Sequence, residues 1–264
     1  MKIIKAGYEI IRPNMDGPDA KNAIYRLIEQ AGRTCYKSED RITPESAAKF
    51  VENIVKRGHE TMLEHAVMTV KFTVDRGVSH ELVRHRLASF AQESTRYCNY
   101  SGDKFGNEIT VIEPCFFKNV FKNIPDKEYI RECVLREDWK TLNEAGLADD
   151  QWIYVLWAKA CMESESDYFE MLKYGATPEE ARSVLPNSLK TEVVMTANMR
   201  EWRHFFKLRA AGETGKPHPQ MLEVTVPLLN QCRMQMPELF GDIQPYKAPE
   251  FLTKCMNVFV GPEE

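Results

Sequence analysis

Fourteen consecutive residues, Arg84 to Tyr97 (RHRLASFAQESTRY), contain three arginines, a histidine, two serines and a glutamine. A guanidinium offers a rigid fork of donors suited to phosphates and carbonyl-rich rings. If the segment is helical, Arg84 and Arg86 project about 200° apart, because each residue turns about 100°. They then serve two ligands, or one ligand at a helix end. If it is extended, Ser94 and Arg96 point the same way, and a hydroxyl beside a guanidinium makes a phosphate grip. The alternative is a solvated basic face. Three arginines among small polar residues, in a chain of net charge −4, favour a ligand site. Such a chain has no bulk attraction for nucleic acid or anionic membranes, so a phosphate must be held by local positive charge.

Two other stretches hold reactive side chains. Gly58–His65 reads GHETMLEH and invites a zinc reading, but a helical zinc pair needs histidines at i and i+4. His59 and His65 are six apart, and His80 and His85 five apart, so no metal site is expected. Further on, Arg182 sits in EEARSVLP, and Asn198–Arg209 reads NMREWRHFFKLR. On a helix Trp202, Phe205, Phe206 and Arg209 share one face, with the aromatics in the core and Arg209 reaching from its edge into a cleft.

The elements that must position these residues follow from periodicity. Residues 19–31 predict a helix after a short N-terminal strand. A second helix is expected from Thr43-Pro44 to Gly58, and an alternating strand over 66–74 with Met68, Val70, Phe72 and Val74 on one face. Residues 78–86 predict a helix, 109–113 a short strand, and 115–150 helical pieces and loops. A long helix is expected over 151–173. Thr177-Pro178-Glu179-Glu180 predicts a capping box, 189–196 a strand, and 199–209 and 218–235 helices, the latter bent at Pro227. No βαβ rhythm or repeat appears. The expected class is α+β, helices packed on a mainly antiparallel sheet, in a single domain spanning 1–264.

Composition narrows the classes. The 264 residues are 43% hydrophobic and 28% charged, as in an ordinary globular protein. Seven cysteines without a CxxC suit reduced thiols rather than a disulfide framework. No signal peptide or membrane span is expected, which places the chain in the cytoplasm. A nucleic-acid-binding module built on the arginine cluster is opposed by the acidic balance. A nucleotide hydrolase is opposed at Gly212–Pro217 (GETGKP), where a phosphate loop would need an earlier glycine instead of Ala210 and Ser/Thr instead of Pro217.

RHRLASFAQESTRY resembles the signature of flavin-dependent thymidylate synthases, an Arg-His-Arg followed by seven residues and a serine. GHETMLEH is similar to that family's GHE-T-x-x-E-H segment. Arg182 before V-L-P, the run Asn198–Arg209, and His218 with Gln220 also resemble the family. The resemblance implies a methyltransferase converting dUMP to dTMP. The one-carbon unit would come from methylenetetrahydrofolate, and a hydride from FAD reduced by NADPH would complete the methyl group. It implies a homotetramer with active sites at subunit interfaces and no cysteine nucleophile. Arg209 is the implied catalytic residue, stabilising negative charge on the uracil ring. Glu81, Arg84, Gln92, Glu93, Ser94, Thr95, Arg96, Arg182 and Arg209 are implied contacts of dUMP. His59, Thr61, Arg84, His85, Arg86, Gln92, Asn198, Arg200 and His204 are implied contacts of FAD, with Arg33–Tyr36 adjoining it. This chain departs from the family at Ala91-Gln92, where many members have Asn-Glu. It departs too at Glu81, where glutamine is frequent, and at His204, where asparagine is frequent. A glutamine hydrogen-bonds but is no carboxylate base.

Overall fold

The computed structural model describes residues 1–12, 20–119 and 127–247. Residue 19 of the expected first helix, 120–126 of the expected helical pieces, and Cys255 lie outside the described residues. Among the described residues the strands are β1 Lys2–Ile4, β2 Gly7–Arg12, β3 Val67–Asp75, β4 Ala88–Gln92, β5 Thr110–Ile112 and β6 Lys190–Asn198. The first helices are α1 Ala20–Tyr36, α2 Ser46–Lys56, α3 Arg76–Leu82, α4 Lys127–Leu135 and α5 Trp139–Glu144. Then come α6 Asp149–Lys173, α7 Pro178–Ala181, α8 Met199–Arg209, α9 Pro219–Gln235 and α10 Pro237–Phe240. The chain forms two compact units, one of Met1–Ala6, Thr73–His80 and Gln92–Glu192, the other of Gly7–Phe72, Glu81–Ala91 and Val193–Glu264.

The expected α+β class holds. A four-stranded antiparallel sheet runs in the order β2-β3-β6-β4. Period-two patterning builds it: Met68, Val70, Phe72 and Val74 of β3 are buried, as are Thr191, Val193, Met195 and Ala197 of β6. On the other face the hydroxyls of Thr69 and Thr196 meet at 2.9 Å.

In the second unit, α8 starts where Asn198 Oδ1 accepts from the Glu201 amide at 2.9 Å, an N-cap. Trp202, Phe205 and Phe206 are fully buried, and the Trp202 indole donates to the Met68 carbonyl at 3.0 Å. Burying each ring stabilises the fold by about 2–3 kcal/mol. Eleven of the seventeen residues of α9 are buried, so it is a core helix. Pro227 lies inside it and the helix continues to Gln235. Between α8 and α9, Gly212 has φ +72, and a Cβ there would lie 2.9 Å from the Tyr246 ring. The GETGKP stretch is therefore a tight turn that needs glycine for packing.

The first unit holds a separate parallel pair, β1 with β5, in the register Lys2↔Thr110, Ile3↔Val111 and Ile4↔Ile112. This pair is the parallel exception in a mainly antiparallel fold. Against the same core pack Tyr168 and Cys161 of α6, with Tyr100 and Leu189. The capping box forms as expected. Thr177 Oγ1 accepts from the Glu180 amide at 3.3 Å, and Glu180 Oε2 accepts from the Thr177 amide at 2.8 Å.

Two boundaries differ from expectation. The helix expected over 78–86 ends at Leu82, where the Arg84 and His85 amides reach back only three residues, to Glu81 and Leu82. The helix expected from Thr43-Pro44 begins at Ser46, because the Thr43 amide is held by Ser46 Oγ at 2.9 Å in a lead-in turn.

Candidate active site

The second unit contains a cavity of about 760 Å³. The turn after α3 brings Arg84 and Arg86 to it, β6 ends there at Asn198, the N-cap of α8, and α8 contributes Arg200, Lys207 and Arg209. Arg84 and Arg86 lie in a turn rather than a helix, so the 200° separation does not apply and both side chains line this one cavity. Among the described residues, neither side chain has a hydrogen-bond or ion-pair partner. Free guanidinium groups in a concave site are anion receptors.

His85 is buried, 5% exposed, and edge-on to the Phe205 ring at 4.8 Å. Arg209 Nε donates to His85 Nε2 at 3.2 Å, while His85 Nδ1 lies 3.4 Å from Glu201 Oε1. Burial first, then the charges of Arg209 and His204, push the His85 pKa down to about 4. At neutral pH the imidazole is therefore uncharged, with Nε2 as acceptor and the proton on Nδ1 facing Glu201. Burial raises the Glu201 carboxyl above its ordinary range.

Arg209, the last residue of α8, has its fork occupied. Nη1 donates to Glu81 Oε2 at 2.7 Å, and Nη2 reaches the Glu81 carbonyl at 3.5 Å. Arg200 pairs with Glu64 at 2.6 Å. Ligand atoms of His85, Glu201 and His204 lie within 4.8 Å of one another. Arg84, Arg86, Lys207 and Arg209 line the same cavity, and that concentration of positive charge opposes a metal cation there.

The remaining expected residues fall elsewhere. His59 and Tyr36 line a different cavity of the second unit, with His59 Nδ1 and the Tyr36 hydroxyl 3.5 Å apart. Thr61 is exposed in a short 3-10 helix, Glu60–His65, between α2 and β3. In the first unit, Ser94 and Arg96 lie in a turn, not a strand, and the Arg96 amide donates to Ser94 Oγ at 3.3 Å. The Arg96 guanidinium grips Glu179 at 2.8 Å, and Arg182 Nη1 donates to Thr95 Oγ1 at 3.3 Å. Glu93 is held by Lys190 at 2.8 Å and by the Tyr100 hydroxyl at 3.4 Å. The Gln92 amide donates to Ser79 at 3.0 Å and Thr191 at 3.3 Å.

Seven residues that line the cavity are not among the expected site residues: Glu60, Glu64, Leu87, Glu201, Arg203, Lys207 and Leu208. The signal was present in the basic stripe Arg200, Arg203, Lys207 at helical spacing, the counterpart of the aromatic stripe. Arg203, its side chain 2% exposed, is tied to Glu60 at 2.9 Å, to both Asp242 oxygens at 2.7 Å and to the Leu239 carbonyl.

Known proteins with this pattern are consistent with one another. Residues 19–238 match the family model described as thymidylate synthase complementing protein. The flavin-dependent thymidylate synthase of Corynebacterium aurimucosum is 33% identical over 219 residues, 82% of this chain and 78% of that one. Its counterpart from Corynebacterium efficiens is 32% identical over 222 residues, 83% and 79% of the two chains. Among solved structures, the UMP/dUMP methylase PolB of Streptomyces cacaoi has a similar fold, with TM-score 0.64 and 20% identity over 91% of this chain and 96% of that chain. ThyX of Helicobacter pylori gives 0.60 and 18%, over 90% and 98%. The chain belongs to the flavin-dependent thymidylate synthase family.

Proposed function

We propose that this protein methylates dUMP to dTMP, taking the one-carbon unit from methylenetetrahydrofolate and reducing equivalents from NADPH through FAD. The observation that carries the reading is the anchoring of Arg209 by Glu81 and neutral His85 beside free Arg84 and Arg86. The donor set fits FAD: two unpaired guanidinium groups with Arg200 and Lys207 suit a pyrophosphate, and Asn198 and His204 supply polar contacts. The H. pylori ThyX of similar fold was solved with FAD and dUMP. FAD, when bound, supplies the redox chemistry.

The protein's part is electrostatic. Arg209 is the proposed catalytic cation, placed against a uracil carbonyl so that negative charge developing on the ring is stabilised. His85 is a positioning residue: uncharged, it accepts from Arg209 Nε and leaves the guanidinium its full positive charge. Glu81 holds Arg209 until dUMP competes for the fork. Ser94, Thr95, Arg96 and Arg182 are the proposed phosphate grip, with Glu179 as the carboxylate that the phosphate displaces from Arg96. Gln92 and Glu93 are proposed to border dUMP, and Thr61 and His59 the flavin. The functional domain is proposed to span 1–264 and to act as a cytoplasmic homotetramer with active sites at subunit interfaces. Among the described residues no helix is long and apolar enough to cross a membrane.

Purified protein should show absorption bands near about 370 and 450 nm, the usual oxidised-flavin positions, and should form dTMP from dUMP, methylenetetrahydrofolate and NADPH. Colourless protein that takes up no FAD and forms no dTMP would overturn the reading.

A further inference from the structure

The second unit carries another cavity, of about 800 Å³, at the C-terminal end of α1 and along α2. Five basic side chains line it, Arg33, Lys37, Arg41, Lys49 and Arg57, against two carboxylates, Asp40 and Glu45. Arg33 is already neutralised: its Nε and Nη2 donate to Glu29 at 3.1 and 2.9 Å, and Glu29 is 1% exposed. The Arg33 guanidinium also lies 4.9 Å from the Phe50 ring centre, so it is a strut of the wall. Among the described residues the side chains of Lys37, Arg41, Lys49 and Arg57 have no hydrogen-bond or ion-pair partner. Four unpaired cations against two carboxylates leave the concavity net positive, and an anionic ligand relieves the repulsion among them.

An independent observation concerns Lys37. The α1 helix closes with a Schellman motif, in which the Ser38 amide bonds to the Arg33 carbonyl at 3.1 Å and the Lys37 amide to Thr34 at 3.4 Å. Lys37 occupies the left-handed position of that motif, φ 46, where glycine is favoured. A non-glycine residue in that conformation carries a backbone cost, and here its side chain is an ammonium group at the cavity wall. Beside it stands an aromatic platform, Tyr36, 62% exposed.

We propose that this cavity binds the phosphate-bearing adenosine end of NADPH, with Lys37, Arg41, Lys49 and Arg57 meeting the phosphates and Tyr36 stacking on a ring. The proposal rests on the function given above and adds a place for the reductant. NADPH carries a pyrophosphate and a separate 2′-phosphate, which suits cations spread across a cavity. The sequence has no GxGxxG to hold a dinucleotide on a helix N-terminus.

Calorimetry on protein saturated with FAD and dUMP tests this, using NADP⁺, 2′,5′-ADP and NAD⁺ as probes. Wild type should bind NADP⁺ and 2′,5′-ADP more tightly than NAD⁺. The double variant Arg41→Ala/Arg57→Ala should weaken the first two by about tenfold or more, with flavin content, dUMP affinity and melting midpoint unchanged. Lys37→Gly should raise the melting midpoint yet weaken 2′,5′-ADP binding, a combination that misfolding cannot produce. Unchanged NADP⁺ affinity in the folded double variant overturns the proposal. Methylenetetrahydrofolate is titrated alongside, and a loss confined to it also overturns the proposal and gives the cavity to the folate carboxylates. Wild type without flavin or dTMP formation overturns the proposed function instead, and the 2′,5′-ADP titration still decides the cavity because it needs no turnover.

Discussion

Arg209 Nη1 lies 2.7 Å from Glu81 Oε2, so the proposed catalytic cation is held, before any ligand arrives, by a carboxylate from the helix that precedes the Arg-His-Arg turn. Both side chains are partly exposed, which keeps the pair's net contribution to stability small. Its value is positional, fixing a long side chain whose freedom would otherwise have to be lost on binding.

Replacing Arg209 by alanine should therefore leave a folded, yellow protein that has lost most dTMP formation. Removing one such electrostatic donor costs about 3 kcal/mol in the barrier, a fall of about two orders of magnitude in rate. Single-turnover dTMP formation measures it, and near-normal turnover removes Arg209 from the catalytic role. Glu81→Gln keeps a hydrogen-bond acceptor for Arg209 but takes away the competing negative charge. Its dUMP dissociation constant should fall, and a rise would show that Glu81 contacts the nucleotide directly.

The depressed pKa of His85 has a consequence for acid stability. The unfolded imidazole takes a proton below about 6.5, whereas in the fold it resists until about 4. Between those values the unfolded state binds more protons, so stability falls as pH drops through the window. His85→Gln, which can still accept from Arg209, should show a shallower fall in its urea midpoint between pH 6.5 and 4. Parallel profiles for the two proteins would mean that His85 titrates normally.

Much of this was legible in the sequence, for a physical reason. Period-two burial in β3 and the capping box at Thr177 depend on neighbours a few residues away, and both stand as expected. The failures sit where tertiary contacts outweigh local pattern. A helix through residue 86 would set Arg84 and Arg86 on different faces, but α3 stops at Leu82 and the turn brings both to one cavity. An extended segment would point Ser94 and Arg96 the same way, but they lie in a turn, and Glu179, eighty-three residues away in the chain, holds the Arg96 guanidinium. The cavity at the end of α1 draws its basic residues from two helices and the turn between them, and no single window contains that pattern.

Arg203 is the structural member of the basic stripe on α8. Its side chain is 2% exposed and ties Glu60 and Asp242 to the helix. Arg203→Met keeps helix propensity and packing volume but strands two carboxylates. The expected loss is about 3 kcal/mol, the low end for a broken buried pair, because Asp242 is half exposed and can rehydrate. Urea unfolding reads this directly, and a loss below about 1 kcal/mol would reclassify the cluster as a surface network.

Gln92 stands where the family resemblance leads to the expectation of a glutamate. Its amide nitrogen donates to the hydroxyls of Ser79 and Thr191. Ser79 already directs its own hydrogen to the Arg76 carbonyl at 2.8 Å. A carboxylate at position 92 has no hydrogen to give, so Ser79 must abandon Arg76 to satisfy it. Gln92→Glu should accordingly cost about 1–2 kcal/mol at neutral pH, the value of one or two hydrogen bonds. The deficit should shrink in acid, because a protonated carboxyl donates as the amide did. A partly buried carboxyl short of donors titrates above its unfolded value, so the deficit is full above the folded pKa and vanishes below the unfolded one. If instead the variant matches wild type at neutral pH, the amide is not holding Ser79 and Thr191 together. If it also gains dTMP activity, position 92 belongs to the chemistry and the electrostatic role assigned to Arg209 must be shared with a base.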